Sequence, residues 1–253
     1  MLTKNPVLIF SAVPEELSII MDYLQFPTTL NIGRRSLVSG KIKDINAQFL
    51  VTDPGIVNTV QALTAVIEHK QPRFIIQTGC AGAFRKSGLH KGDIGIAEQE
   101  TYIHLGIEPE NENQPIKELP FSLMTQNNLN IKHCYPINPV LVKKAFNILS
   151  GVFIPNICQV KTGPFITVST ITSTDKKAEK LYKQFTPCME AMEGSGAAHL
   201  SLYYKIPFLE IRAASNYVGK RDKKAWNLPL AFKRCNTAVW ELLNNFDEFG
   251  EII

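Results

Sequence analysis

The chain has 253 residues, 45% hydrophobic and 20% charged, with a formal charge of +4. That length carries one large domain with a substantial core, and the composition is that of a soluble globular protein. The densest basic cluster, KRDKK at 220–224, is short and lacks interleaved aromatics, which argues against a nucleic-acid partner and for a solvated loop and helix start.

The first apolar run, PVLIFSAV, is short and is followed at once by Glu15 and Glu16. It reads as a core strand rather than a leader, and no later stretch approaches the length of a membrane span. Strands are expected at 7–12, 47–52, 74–78, 93–97, 159–162, 165–169 and 208–213, and helices at 15–23, 59–69, 139–149, 176–185, 194–204 and 223–245. Several strand runs are apolar on both faces, as strands covered by helices on two sides should be. The alternation predicts an α/β fold. The segment 103–138 breaks this rhythm. It is polar, rich in Pro and Asn, and reads either as a lid or binding loop or as a surface excursion. The cysteines, Cys80, Cys134, Cys158, Cys188 and Cys235, are odd in number, widely spaced and free of any CxxC pair. They indicate neither a disulfide framework nor a zinc site and fit a reducing, cytoplasmic setting.

In α/β sheets ligands bind beyond the carboxyl ends of the strands. Four stretches follow predicted strands there. SAVPEEL places Glu15 and Glu16 at a helix start, where the helix dipole alone favours carboxylates. TGCAGAF, at 78–84, supplies small residues that let backbone N–H groups approach a ligand, although tight turns use the same residues. It is neither a P-loop nor GxGxxG. EAMEGSGAAH places Glu190 and Glu193 near another helix start, and RAASNYVG opens a strand end into polar residues.

The order SAVPEE, TDPGIVNTVQAL, IIQTGCAGAF, KGDIGIAEQ, EAMEGSGAAH, RAASNYVG resembles the purine nucleoside phosphorylase and nucleosidase superfamily across nearly the whole chain. Within it the match is to the hydrolytic branch, which includes the methylthioadenosine/S-adenosylhomocysteine nucleosidases. AMEG together with RAASNYVGKRD and a following Trp is most similar to the futalosine hydrolases. The resemblance implies one domain over 1–253, a three-layer αβα sandwich with a mixed, twisted central sheet. It implies cleavage of the glycosidic bond of futalosine to release hypoxanthine, in the alternative route to menaquinone. It implies a small-molecule nucleoside substrate, no metal, no organic cofactor, no nucleic acid or membrane, and a homo-oligomer in which a neighbour helps cover the 5′ end of the substrate.

Roles carry over by position. Glu16 matches the carboxylate that activates water, and it would repel phosphate. Glu193 matches the glutamate that holds ribose hydroxyls, and Met192 packs against the sugar or simply fills core. Arg212 matches an arginine that orders the water and the carboxylates, or it pairs a buried glutamate. Cys80 and Gly82 lie in the small-residue loop, with Cys80 a reactive thiol or a small buried residue. Thr172 and Ser173 would flank the base. Val57 stands where the family often has a second glycine, so a close backbone contact there is not expected.

Asn216 stands where adenine-specific nucleosidases place aspartate. An asparagine cannot release a proton. Its N–H donates to a carbonyl O6 and its oxygen accepts from N7–H, a pattern that fits hypoxanthine or guanine and mismatches adenine. Ser215 supports that loop. Trp226 would close over the 5′ group of the substrate or serve as a core tryptophan. Arg221 could meet a benzoate through a two-point ion pair, with Arg34 and Arg35 as further candidates. The alternatives are a methylthioadenosine/S-adenosylhomocysteine or aminofutalosine nucleosidase, a 6-oxopurine nucleoside phosphorylase, and a catalytically silent nucleoside-binding protein.

Overall fold

The computed structural model describes residues 5–250, except 112, 113, 115, 127 and 128. Its strands are β1 (Val7–Ser11), β2 (Gln25–Ile32), β3 (Arg35–Ile42), β4 (Ile45–Val51), β5 (Phe74–Ala83), β6 (Ile94–Tyr102), β7 (Met124–Gln126), β8 (Leu129–Ile131), β9 (Cys134–Pro136), β10 (Val160–Thr167), β11 (Met189–Ala191) and β12 (Phe208–Tyr217). The helices are α1 (Ser18–Met21), α2 (Ile56–His69), α3 (Pro139–Val152), α4 (Asp175–Phe185), α5 (Gly194–Tyr204) and α6 (Leu228–Asn244). Among the described residues no helix is long and apolar enough to cross a membrane.

The main sheet runs β11–β10–β6–β12–β5–β1–β4–β3–β2, with β9 on β6. It is mixed: β1 lies parallel to β4 and β5, while β12 is parallel to β5 and antiparallel to β6. Every residue of β1 is buried, as its unbroken apolar run requires between two parallel neighbours. Helices α2 and α5 pack together on one side, and α6 packs on α1 and α3 on the other, giving three layers. The small residues of α5 allow this approach: a Cβ on Gly196 would lie 2.8 Å from Ile56 of α2. The curled end of the sheet closes on itself, because β11 pairs in parallel with β10 and also antiparallel with β5.

Each expected strand overlaps an observed one, several overrunning it by one or two residues, with differences that matter for the site. The runs 159–162 and 165–169 are one strand, β10, with a shift at Gly163/Pro164, where a proline lacking an N–H is tolerated. The stretches TGCAGAF and RAASNYVG are not loops; β5 and β12 continue through Ala83 and Tyr217. The expected helix 15–23 is a 3-10 turn over Pro14–Glu16 followed by the single turn α1. The expected helix 223–245 breaks after a 3-10 turn, and α6 restarts where the Asn227 side chain accepts from Leu230 N.

The 103–138 segment has structure of its own. It holds the β7–β8 hairpin, β9 on the edge of β6, and an antiparallel bridge from Ile107 to Lys117. Met124 and Ile131 are buried there and line an apolar hollow with Ile137, Leu141 and Phe208.

Candidate active site

Four chain segments converge where β5, β12 and β11 end beside the start of α5. They surround a cleft of about 220 Å³, which contains Glu16, Cys80, Gly82, Thr172, Met192, Glu193, Arg212, Ser215, Asn216, Arg221 and Trp226 in its walls. Ser173 is the exception among the expected residues: it is exposed and does not line the cleft. No described residue of 103–138 lines it either, so the described part of that segment is not in the cleft wall of the single chain. Among the described residues no cluster of three or more His, Cys, Asp or Glu is placed to hold a metal ion.

Glu16 is buried by the turn that follows β1. Its Oε2 accepts from the backbone N–H of Ala12 at 3.1 Å and of Val13 at 3.3 Å, and its Oε1 accepts from Cys80 N at 2.7 Å. Three of about four acceptor positions on the carboxylate are thus occupied, leaving one toward the cleft. Burial raises its pKa; Arg212 and the backbone donors of Cys80 and Val13 pull it back, and Glu193 adds to the rise.

Behind Glu16 stands a buried chain of charge. Arg212, 1% exposed, donates through Nε to Glu210 Oε1 at 2.8 Å and through Nη2 to Glu193 Oε2 at 3.1 Å. A Cβ on Gly79 would lie 2.8 Å from both Arg212 Nη1 and Glu16 Oε1, so the bare backbone of β5 is what lets these two groups approach. Burial works against the guanidinium charge, but Glu210, Glu193 and Glu16 outweigh it and hold the pKa above its ordinary value. Arg212 thus partners two buried glutamates and also borders the cleft.

Glu193 sits just before α5. Besides Arg212, it accepts from Gly55 N at 2.9 Å and Met192 N at 3.2 Å. The close backbone approach in PGIVNT is thus made by Gly55, at φ 99°, while Val57 is exposed. Oε2 is filled by Arg212 and Met192, so one acceptor position remains, on Oε1 beside Gly55 N; a grip on two hydroxyls requires one of these donors to give way.

Asn216 is aimed by a shift in β12 pairing between Ala214 and Asn216, which brings it opposite Gly82 of β5. Ser215 Oγ donates to Asn216 Oδ1 at 2.7 Å, and Asn216 Nδ2 donates to Tyr217 O at 3.1 Å. One amide N–H and one oxygen lone pair remain. The Cys80 thiol has its pKa pushed up by its hydrogen bond with Cys235 and by burial, the opposite of a reactive thiolate. Met192 is half-buried beside the cluster of Phe84, Ile166 and Val168. Arg221 is exposed and its guanidinium stands 5.5 Å from the centre of the Trp226 ring at the cleft mouth. Arg35 pairs with Asp53, and neither Arg34 nor Arg35 lines the cleft.

Three glutamates were not among the expected site residues. Glu210 continues the charge chain to Glu100, whose Oε2 accepts from Thr167 at 2.6 Å and Ser195 at 3.1 Å. Glu100 Oε1 and Glu210 Oε2 are buried acceptors without a donor, and both lie over Gly194, which has no side chain to displace them. A proton on Glu100 supplies the missing donor. Its pKa is raised well above the ordinary value, by burial first and then by Glu210. Glu190 lines the cleft itself; its Oε1 accepts from Thr172 N at 3.1 Å, and burial raises its pKa. Glu190 carried a signal in EAMEGSGAAH, Glu210 only as a carboxylate inside the apolar run IPFLEI, and Glu100, among polar residues, none.

A profile of the Phosphorylase superfamily matches residues 6–244. A futalosine hydrolase of Acidothermus cellulolyticus is 29% identical over 193 residues, covering 76% of this chain and 73% of that protein. A 5′-methylthioadenosine/S-adenosylhomocysteine nucleosidase of Maridesulfovibrio salexigens is 24% identical over 219 residues, covering 86% and 88%. The structure of a futalosine hydrolase mutant of Helicobacter pylori superposes with a TM-score of 0.81 at 16% identity, over 95% of this chain and 99% of that one.

Proposed function

The chain belongs to the phosphorylase superfamily, and from that premise we propose that it is a nucleosidase that hydrolyses the N-glycosidic bond of futalosine, releasing hypoxanthine. The observation that carries hydrolysis is the set of carboxylates around the cleft. Glu16, Glu190 and Glu193 all line it, and the charge of Arg212 is already taken by Glu193 and Glu210. A phosphate dianion would meet this wall unpaired, whereas a water molecule finds one free acceptor on Glu16.

In this reading water attacks the anomeric carbon as the bond to N9 breaks. The water proton passes to Glu16 and the bonding pair leaves with the purine. Positive charge that develops on the ribosyl group faces Glu16 and Glu193, carboxylates already held by backbone donors and Arg212, so little reorganisation is needed. Glu193 holds the ribose hydroxyls and Met192 the sugar face. Asn216 accepts N7–H of the departing base and donates to O6. Because an amide releases no proton, the one on N7 comes from solvent. Arg221 and Trp226 stand at the mouth, where a carboxylate-bearing aromatic arm would meet a cation and a ring.

The Acidothermus relative supports the futalosine reading. The Maridesulfovibrio relative, which covers more of the chain, favours a methylthioadenosine/S-adenosylhomocysteine nucleosidase, but Asn216 is mismatched to adenine. Turnover in ¹⁸O-water tests the reaction class. Hydrolysis places the label on the anomeric hydroxyl, with a rate indifferent to phosphate. A rate that requires phosphate, with a sugar phosphate as product, makes the protein a phosphorylase.

A further inference from the structure

We propose that Glu190 is a second reader of the base, its free carboxylate oxygen accepting the N1–H of a 6-oxopurine while Asn216 addresses O6 and N7. The inference rests on the 6-oxopurine reading above and names a specificity residue for it.

Glu190 is 7% exposed, in the middle of β11, and lines the cleft. Its two oxygens are differently placed. Oε1 is held by Thr172 N at 3.1 Å and the Thr172 hydroxyl also stands beside the carboxylate, whereas Oε2 is buried with no hydrogen bond. A buried acceptor without a donor, in the wall of a binding cleft, is a group waiting for a ligand donor. Its place in the sheet says which part of the ligand. Glu190 and Asn216 both lie opposite Gly82, one from each flank of β5. No side chain stands between them, and a Cβ on Gly82 would come within 3.3 Å of Asn216 Nδ2 and 2.9 Å of Val218. A planar base over this glycine meets Asn216 on one side and Glu190 on the other.

The chemistry of the two purine classes then separates. Along the edge from N7 through C6 to N1, hypoxanthine and guanine present a carbonyl acceptor and then an N1–H donor. Adenine presents an amino donor and then a bare N1 acceptor. Burial raises the Glu190 pKa; above it the ionised carboxylate accepts only, so Glu190 pairs with N1–H and opposes the lone pair of adenine N1. The backbone donor beside it, Thr172 N–H, is consumed by Oε1 and cannot serve adenine N1 instead. Glu190 thus supplies an acceptor and removes a donor at the same point. The competing role is purely structural, a cap for Thr172 N–H.

The test compares wild type, Glu190→Gln and Glu190→Ala on futalosine and aminofutalosine, which differ at C6 and N1 alone. Glu190→Gln keeps an oxygen for Thr172 N and so guards against a folding artefact. Expected is a loss in kcat/KM of about ten- to hundredfold on futalosine, little or no loss on aminofutalosine, and a collapse of the ratio between them. Hypoxanthine is expected to bind wild type at least about tenfold more tightly than 1-methylhypoxanthine, and Glu190→Ala to bind both alike. Equal losses on both substrates, or an unchanged ratio in a wild type that prefers futalosine, overturn the role of Glu190 alone. A wild type that prefers the 6-amino substrate overturns the functional reading and this inference with it.

Discussion

In the proposed mechanism Glu16 takes the proton from water, and its environment makes a pH-dependent expectation. Only the ionised form takes a proton from water. Burial raises its pKa above the ordinary 4.5, so the protonated form persists to higher pH than in an exposed glutamate. Activity should therefore fall on the acid side along a limb displaced upward, and Glu16→Gln should lose about 10²- to 10⁴-fold in kcat with KM little changed. A pH–rate profile of both proteins checks this; an acid limb retained by the variant would move the base elsewhere. Asn216→Asp should lower kcat/KM on futalosine by about tenfold or more, since a carboxylate cannot donate to O6. Glu16, Glu193, Arg212 and Asn216 were legible in the sequence because each lies in a motif that ends a strand. Glu210 and Glu100 were not, and Glu190, though noted in EAMEGSGAAH, was given no role there. A carboxylate inside a strand signals nothing until the partners that bury it are known, and those are far away in the chain. Ser173 failed for the opposite reason: its neighbour Thr172 turns into the cleft and leaves it outside.

The helices and strands around the site are tuned to the buried carboxyl pair. Gly194 opens α5 beneath Glu100 and Glu210, and a methyl group there has nowhere to go. Gly194→Ala should destabilise by about 1–3 kcal/mol, read by chemical denaturation. The pair also fixes a sign for stability against pH. Glu100 has a folded pKa raised well above its unfolded value, so the folded state holds a proton that the unfolded chain releases. That contribution is complete below the unfolded glutamate range, about 4.3, and is lost as pH rises through the folded value. Glu100→Gln, which keeps a donor toward Glu210, should remove this loss, so its stability relative to wild type should rise with pH. A constant difference across the range would show that Glu100 is ionised in the folded protein. The buried strands and longer helices were readable from apolar periodicity. The β2–β3 hairpin was not, because QFPTTLNI is almost wholly exposed and carries a proline. The shift in β12 that aims Asn216 was equally hidden, since it exists only relative to β5.

The curled sheet is what assembles the cleft. Pairing of β11 with both β10 and β5 brings the AMEG and TGCAGA stretches together, and β12 completes the wall. Alternation of strands and helices foretold the layers, and the order of motifs pointed to strand ends that line the cleft. Closure is a long-range pairing of a three-residue strand, too short to register in any local pattern. The edge strand β2 leaves Phe26 79% exposed and Leu30 49% exposed, the kind of edge that assembly covers. If the proposed homo-oligomer uses it, Phe26→Asp should shift sedimentation from the assembled species toward a single chain. The central claim, hydrolysis of a 6-oxopurine nucleoside with an aromatic acid arm, is tested most directly by kcat/KM for futalosine against methylthioadenosine in phosphate-free buffer. A ratio of about a hundredfold or more in favour of futalosine is expected; equal rates, or faster release of adenine, would contradict it.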